Sequence, residues 1–174
     1  MHHGTSAYGF DVFDIKKASA AGLYGRGFYF SDSDSHAGQY GQTYDVYLNI
    51  VNPLQPGSKN ITDEQILKFI NAVANNDDYG IENYGQDATP QSILKSLQGK
   101  DDFGKLQDIN ATCIGDFASA LKEFNRINGT AFDGIITPTE TVAFYPNQIK
   151  NIDNKQPTGA DSINFSLTVD EAED

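Results

Sequence analysis

The spacing of apolar residues along this 174-residue chain changes period twice, and nothing else constrains its fold as strongly. Residues 1–55 read as strands and turns. There, Asp45-Val46-Tyr47-Leu48-Asn49-Ile50 alternates, with Val46, Leu48 and Ile50 on one face of a half-buried strand that Asn52-Pro53 ends. Helical spacing then takes over. Thr62 reads as an N-cap, with Asp63 and Glu64 in the first turn and Ile66, Phe69, Ile70 and Val73 on one face. Thr89-Pro90 opens a second helix carrying Ile93, Leu94 and Leu97, ended by Gly99. A third contains Ile114, Phe117, Leu121 and Phe124 and stops at Asn128-Gly129. The polar stretch 75–87 reads as a loop. Strand character returns at Phe132–Ile136 and Thr139–Tyr145, with Thr137-Pro138 as a short connection. Residues 153–174 are polar and aperiodic and read as a tail or linker, which leaves 1–152 as one domain.

Charge and cysteine content exclude several classes. The formal net charge is −12, and Asp170 to Asp174 hold four of the acids. Such a surface repels phosphate backbones, which disfavours non-specific nucleic-acid binding. A local basic patch at Lys16, Lys17 and Arg26 remains compatible with it. Cys113 is the only cysteine, so an internal disulfide and a zinc site built on several cysteines are ruled out. No apolar run reaches membrane length and no secretory leader pattern opens the chain.

Three short segments carry polar or aromatic groups in unusual settings. In Gly25-Arg26-Gly27-Phe28-Tyr29-Phe30-Ser31 the glycines permit close approach or positive φ, and Tyr29 points opposite to Phe28 and Phe30 across a strand. This is either a glycine-flanked core strand or a ligand-binding edge. His3-Gly4-Thr5 is either a frayed terminus or the start of a strand with a small residue where a ligand lies; His2 and His36 are read as plain surface residues. Glu140 stands in an otherwise uncharged run from Ile135 to Tyr145, so it is either an exposed edge residue or a carboxylate in use. Asp32 and Asp34 fit a helix start better than a metal pair. A helix beginning near Ser33 brings Tyr40 back toward Tyr29. Gly22-x-x-Gly25-x-Gly27 precedes a strand and not a helix, so it is not a dinucleotide-binding fingerprint.

Taken in order, these segments resemble the His–Tyr–Glu class of ADP-ribosyltransferases, which includes the poly(ADP-ribose) polymerases and diphtheria-toxin-like enzymes. The chain is most similar to the ADP-ribosyltransferase domains of multidomain polyvalent proteins of phages and mobile elements. The likeness rests on His3-Gly4-Thr5, Phe10-Asp11-Val12-Phe13-Asp14, Gly25 to Ser31, Leu48-Asn49-Ile50-Val51-Asn52-Pro53-Leu54, Asp133-Gly134-Ile135-Ile136, and the Glu140 segment running into Pro146-Asn147-Gln148-Ile149-Lys150. It covers residues 3–54 and 131–152, and the helical middle is less specific.

The resemblance implies an α+β fold: two packed, mainly antiparallel sheets forming an NAD cleft, with a helical segment inserted in the middle. It implies a catalytic domain at 1–152 that uses NAD as co-substrate without a metal and transfers a single ADP-ribose to a macromolecule. The implied acceptor is a protein and not nucleic acid. The enzyme is expected to be a cytoplasmic monomer in a bacterial host, delivered by a phage particle, with no membrane partner. His3, Tyr29 and Glu140 are the implied catalytic set. His3 would bond a ribose hydroxyl, the Gly4 backbone would pair with the nicotinamide carboxamide, and Tyr29 and Tyr40 would sandwich the ring. Glu140 would hold the nicotinamide-ribose 2′-hydroxyl and stabilise the oxocarbenium-like transition state. Thr5, Gly27, Phe30, Ser31 and Ala37 complete the implied NAD contacts. Arg26 would offset diphosphate charge, and the loop from Phe10 to Leu23 would cover the donor. Ala37 departs from the polymerase branch, which commonly has a carboxamide-binding serine there. Pro138, two before Glu140, departs from the arginine-modifying toxins. Two rival readings are an NAD glycohydrolase and a catalytically silent binding or structural domain of a phage particle.

Overall fold

A computed structural model of the chain describes residues 1–7, 13–18 and 22–152. The Phe10-Asp11-Val12 part of one motif, part of the Phe10–Leu23 loop, and the tail at 153–174 lie outside the described residues. In chain order the elements are β1 (His2–Thr5), β2 (Phe28–Phe30), α1 (Asp34–Ala37), β3 (Gln42–Leu48), β4 (Pro53–Leu54), α2 (Asp63–Ala74), α3 (Pro90–Ser96), α4 (Asp102–Ile109), α5 (Phe117–Asn128), β5 (Gly134–Ile136), β6 (Thr141–Ala143) and β7 (Ile149–Asn151). The molecule is α+β, and its contacts group into two compact units, Leu54–Phe132 and the remainder.

The strands form two sheets, ordered β1-β3-β7 and β2-β6-β5-β4. β1 runs antiparallel to β3 with His3 opposite Tyr44 and Gly4 opposite Thr43. β2 runs antiparallel to β6 with Tyr29 opposite Val142, and β5 to β6 with Ile135 opposite Val142. The sheets are joined where His2 and Ser31 exchange backbone hydrogen bonds of 2.8 and 2.9 Å. Phe28, Phe30, Val46, Ala143 and Ile149 from both sheets share one buried core with Phe13 and Ala18. The expected alternation holds: Val46 is buried, and Leu48 and Ile50 pack on the same cluster. β3 starts three residues earlier than its apolar pattern indicates, because Gln42 to Asp45 pair with β1. Gln148 ties the sheet ends together, accepting from the Phe144 and Tyr145 amides and donating to the Asn49 and Asp133 carbonyls.

In the helical unit, α2 begins at the expected Thr62 N-cap, with a reciprocal capping box to Gln65, and buries Ile66, Phe69, Ile70 and Val73. α3 begins at Thr89-Pro90 and α5 ends at Gly129, which takes φ +64°. One helix is additional to the three that the spacing indicates. Asp101 caps α4 by accepting from the Gly104 amide, and Leu106 and Ile109 are its buried face. Gly104 and the flanking acids hide that short apolar stripe from a periodicity reading. Ile114 therefore belongs to a π-helical turn after α4, and Gly115, at φ +83°, separates it from α5. Asp102, almost wholly buried, accepts from Ser58 Oγ and from the Asn60 and Ile61 amides, which pins the approach to α2 onto α4.

Candidate active site

His3 is held in one tautomer. Its Nδ1 lies 2.8 Å from the Tyr29 carbonyl oxygen, which only accepts, so Nδ1 carries the proton. Burial pushes the His3 pKa below its ordinary value, against the opposing effect of that hydrogen bond, so the ring is neutral at pH 7. Nε2 is then an acceptor, and it has no protein partner among the described residues. The Phe13 and Phe30 rings, 5.1 and 5.3 Å away, fix the imidazole plane.

Gly4 presents bare backbone. Met1 and Val46 exchange bonds of 3.3 and 2.9 Å, so antiparallel alternation makes His3 and Tyr44 the next hydrogen-bonded pair. The N–H and C=O of Gly4 therefore face away from β3, along the edge where His2 meets Ser31. They have no protein partner among the described residues. Position 4 admits no side chain: a β-carbon there would lie 1.8 Å from the Ala37 carbonyl oxygen and 3.1 Å from Tyr40 Cβ. The Ser33 N-cap starts α1 as expected, accepting from the His36 amide. The 3-10 turn Gly38–Tyr40 that follows leaves Tyr40 62% exposed beside this edge.

Tyr29 is the half-buried residue between buried Phe28 and Phe30, as the alternation requires. Its hydroxyl donates to the Gly25 carbonyl at 2.7 Å and accepts from the Tyr24 amide at 2.9 Å. The turn that wraps it needs its glycines. Gly25 takes φ +77°, and a β-carbon on Gly22 would lie 2.3 Å from the Tyr29 ring. Gly27 answers to packing within the sheet, since a β-carbon there would meet Val142 Cγ1 at 2.6 Å.

Glu140 is not inside a strand. β6 begins at Thr141, and Glu140 closes a turn in which Thr137 N–H and Oγ1 donate to its carbonyl at 2.9 and 3.1 Å while its own amide donates to Thr137 Oγ1 at 3.1 Å. The expected strand from Thr139 is shortened because the hydroxyl of Thr137 competes with the ladder for these groups. The backbone of Glu140 is fixed, and its half-buried carboxylate has no hydrogen-bond or ion-pair partner among the described residues.

These groups line one cavity of about 700 Å³ in the strand-bearing unit, within the size range of small-molecule sites. His3, Gly4, Thr5, Gly27, Tyr29, Phe30, Ser31, Ala37, Tyr40 and Glu140 all contribute to its wall. Phe30 and Ser31 are buried, and Ser31 Oγ accepts from the Ser33 amide, so they shape the wall from behind. Thr5 Oγ1 accepts from the Ala7 amide. Arg26 is not on the wall; its guanidinium donates to the Ile15 carbonyl at 3.5 Å. Lys17 is on the wall and is the one permanent cation there among the described residues. His2 and His36, read from the sequence as plain surface residues, also line it: pairing with Asp45 in β3 and the α1 turn bring them in. Tyr24 was missed altogether. It is 8% exposed, and its backbone amide donates to the Tyr29 hydroxyl at 2.9 Å. Nothing in a lone tyrosine five residues before Tyr29 marks that contact. No cluster of metal-binding side chains occurs among the described residues, and no helix there is long and apolar enough to cross a membrane.

The wall thus offers a neutral imidazole acceptor, an unpaired backbone N–H and C=O, two tyrosines and an uncompensated carboxylate. A family model described as "ADP-Ribosyltransferase in polyvalent proteins" matches residues 1–159 of the chain. No curated protein and no solved structure matches it.

Proposed function

The chain belongs to the ADP-ribosyltransferases of polyvalent proteins, and from that premise we propose that its cavity binds NAD, breaks the nicotinamide–ribose bond and passes a single ADP-ribose to a protein acceptor. The observation that carries this reading is the meeting of His3, Gly4, Tyr29, Tyr40 and Glu140 on one wall.

In this mechanism the Gly4 N–H and C=O take the carboxamide as a two-point backbone pair. Tyr29 and Tyr40 flank the nicotinamide ring, and His3 Nε2 accepts from a ribose hydroxyl. The Glu140 carboxylate accepts from the nicotinamide-ribose 2′-hydroxyl. As the glycosidic bond stretches, positive charge grows on the ribose, and a carboxylate already free of a counter-ion interacts with it more strongly than with the ground state. The leaving nicotinamide takes the bonding electron pair and departs neutral, and the acceptor nucleophile attacks the anomeric carbon and loses its proton. Lys17 faces the diphosphate in this reading. Ala37 supplies no hydroxyl to the carboxamide, so Gly4 carries that recognition.

The test is incubation of the protein with adenine-labelled NAD, with and without cell lysate. Nicotinamide release together with labelled protein is expected. Release without labelling would make the protein a glycohydrolase, and neither would leave a binding domain.

A further inference from the structure

The proposed reaction needs a destination for the proton of the acceptor. Among the described residues, His2, His3, Asp14, His36 and Glu140 bring an imidazole or a carboxylate to the cavity wall. His3 and Glu140 are already engaged with ribose hydroxyls in that reaction. Asp14 caps the turn at 15–17, its Oδ1 accepting from the Lys16 amide at 2.9 Å. His36 meets Tyr40 edge to face, with ring centroids 6.1 Å apart, and no hydrogen bond from a described residue fixes its ring nitrogens. His2 differs from it, because its Nδ1 lies 2.5 Å from Asp45 Oδ1.

The sheet builds this pair. β1 and β3 set His2 directly opposite Asp45. Met1 and Val46 beside them exchange backbone bonds, so His2 and Asp45 form a non-hydrogen-bonded pair, in which facing side chains come closest. A carboxylate only accepts, so Nδ1 carries the proton and Nε2 of the neutral ring keeps its lone pair. Asp45 stands on the β3 side of the ring and is not on the cavity wall. Nε2 is turned the other way, toward the edge along which Gly4 presents its backbone. It has no hydrogen-bond partner among the described residues.

On the reading that this cavity transfers ADP-ribose, we infer that His2 is the general base for the acceptor, that Asp45 orients it, and that the acceptor is a hydroxyl side chain. A carboxylate acceptor has no proton to lose. An ammonium has no lone pair until it is deprotonated, and it brings positive charge toward a ribose that is becoming cationic. A hydroxyl attacks with a lone pair it already has and sheds its proton as the bond forms. The oxygen bonds to the anomeric carbon, and the pair of the breaking bond leaves with nicotinamide. Nε2 takes the hydroxyl proton, and the imidazolium, held against Asp45, passes it to water. A general base placed in this way contributes about 10²–10⁴-fold.

The experiment incubates the parent, His2→Gln and Asp45→Asn with adenine-labelled NAD and cell lysate, and reads labelled protein per nicotinamide released. Water captures a cationic ribose without a base, so this ratio isolates the acceptor's attack. It should fall by about 10²-fold or more in His2→Gln. It should fall by a smaller factor in Asp45→Asn, whose amide donates to Nδ1 and moves the ring proton to Nε2. Fragmentation mass spectrometry of protein labelled by the parent should find ADP-ribose on serine, threonine or tyrosine. Nitrogen-15 spectra of the His2 ring should show the proton on Nδ1 in the parent. An unchanged ratio in folded His2→Gln, label on any other residue type, or a proton on Nε2 in the parent would overturn this inference and leave the transferase reading standing. A parent that released no nicotinamide, or labelled no protein, would remove that reading and this inference with it.

Discussion

Gly4 and Ala37 approach so closely that a β-carbon on Gly4 would lie 1.8 Å from the Ala37 carbonyl oxygen. That contact sets α1 against β1 and leaves Tyr40 beside the cavity. Gly4→Ala should therefore destabilise the fold by about 1–3 kcal/mol, the usual cost of overpacking. At about 2–4 °C per kcal/mol, the melting temperature falls by several degrees. Gly38→Ala is the control: only Thr43 Oγ1, at 3.9 Å, lies near its β-carbon, and Gly38 already has helical dihedrals. Thermal melts of both variants check the contrast, and equal melting temperatures would contradict the close packing.

Glu140→Gln should keep the fold and NAD affinity but lose turnover by about 10²–10³-fold, the cost of one preorganised electrostatic contact. The amide matches the carboxylate in size and removes only its charge. Nicotinamide release and an NAD titration measure the two quantities separately. Turnover within a few-fold of the parent would remove Glu140 from the mechanism.

His3 gives a pH dependence whose sign is fixed. Its folded pKa lies below 6.5 because of burial, so the unfolded chain binds its proton first as pH falls. The stability contributed by neutral His3 is fully present above pH 6.5 and declines as pH drops through 6.5 toward the folded pKa. The melting-temperature difference between the parent and His3→Asn should be constant above pH 6.5 and shift against the parent below it. A difference that is independent of pH from 5 to 7 would mean that His3 is solvated and not enclosed.

Tyr40→Ala should weaken binding of NAD and of a nicotinamide mimic, because a stacked aromatic pair is worth about 0.5–1.5 kcal/mol beyond its buried area. Stability should change by less than about 0.5 kcal/mol, since the side chain is 62% exposed. Tyr29→Ala should lose both affinity and stability, for its hydroxyl anchors the Gly22–Gly25 turn. Calorimetric titrations paired with melts separate these effects. Full affinity in folded Tyr40→Ala would leave that tyrosine outside the site.

Local chemistry explains which parts of this protein could be read from its sequence. Thr62 and Thr89 start helices because their hydroxyls satisfy amides within three residues, and Val46 is buried because alternation selects a face. Glycine and proline punctuation and the short motifs around His3, Tyr29 and Glu140 are equally local. They placed those residues correctly on or beside strands, although Glu140 lies one residue before its strand. α4 is hidden because a two-residue apolar stripe, Leu106 and Ile109, preceded by Gly104, is too short to show a period. The cavity's other contributors depended on pairings between distant segments. His2 is on its wall because β1 pairs with β3, and Lys17 is there while Arg26 is not because of how the turn at 15–17 packs. Gln148 Nε2 reaches the Asn49 carbonyl, 99 positions away, only because β3 pairs with β7. Side-chain period and capping are fixed within a few residues, whereas a hydrogen bond across a hundred residues exists only once the sheets have formed.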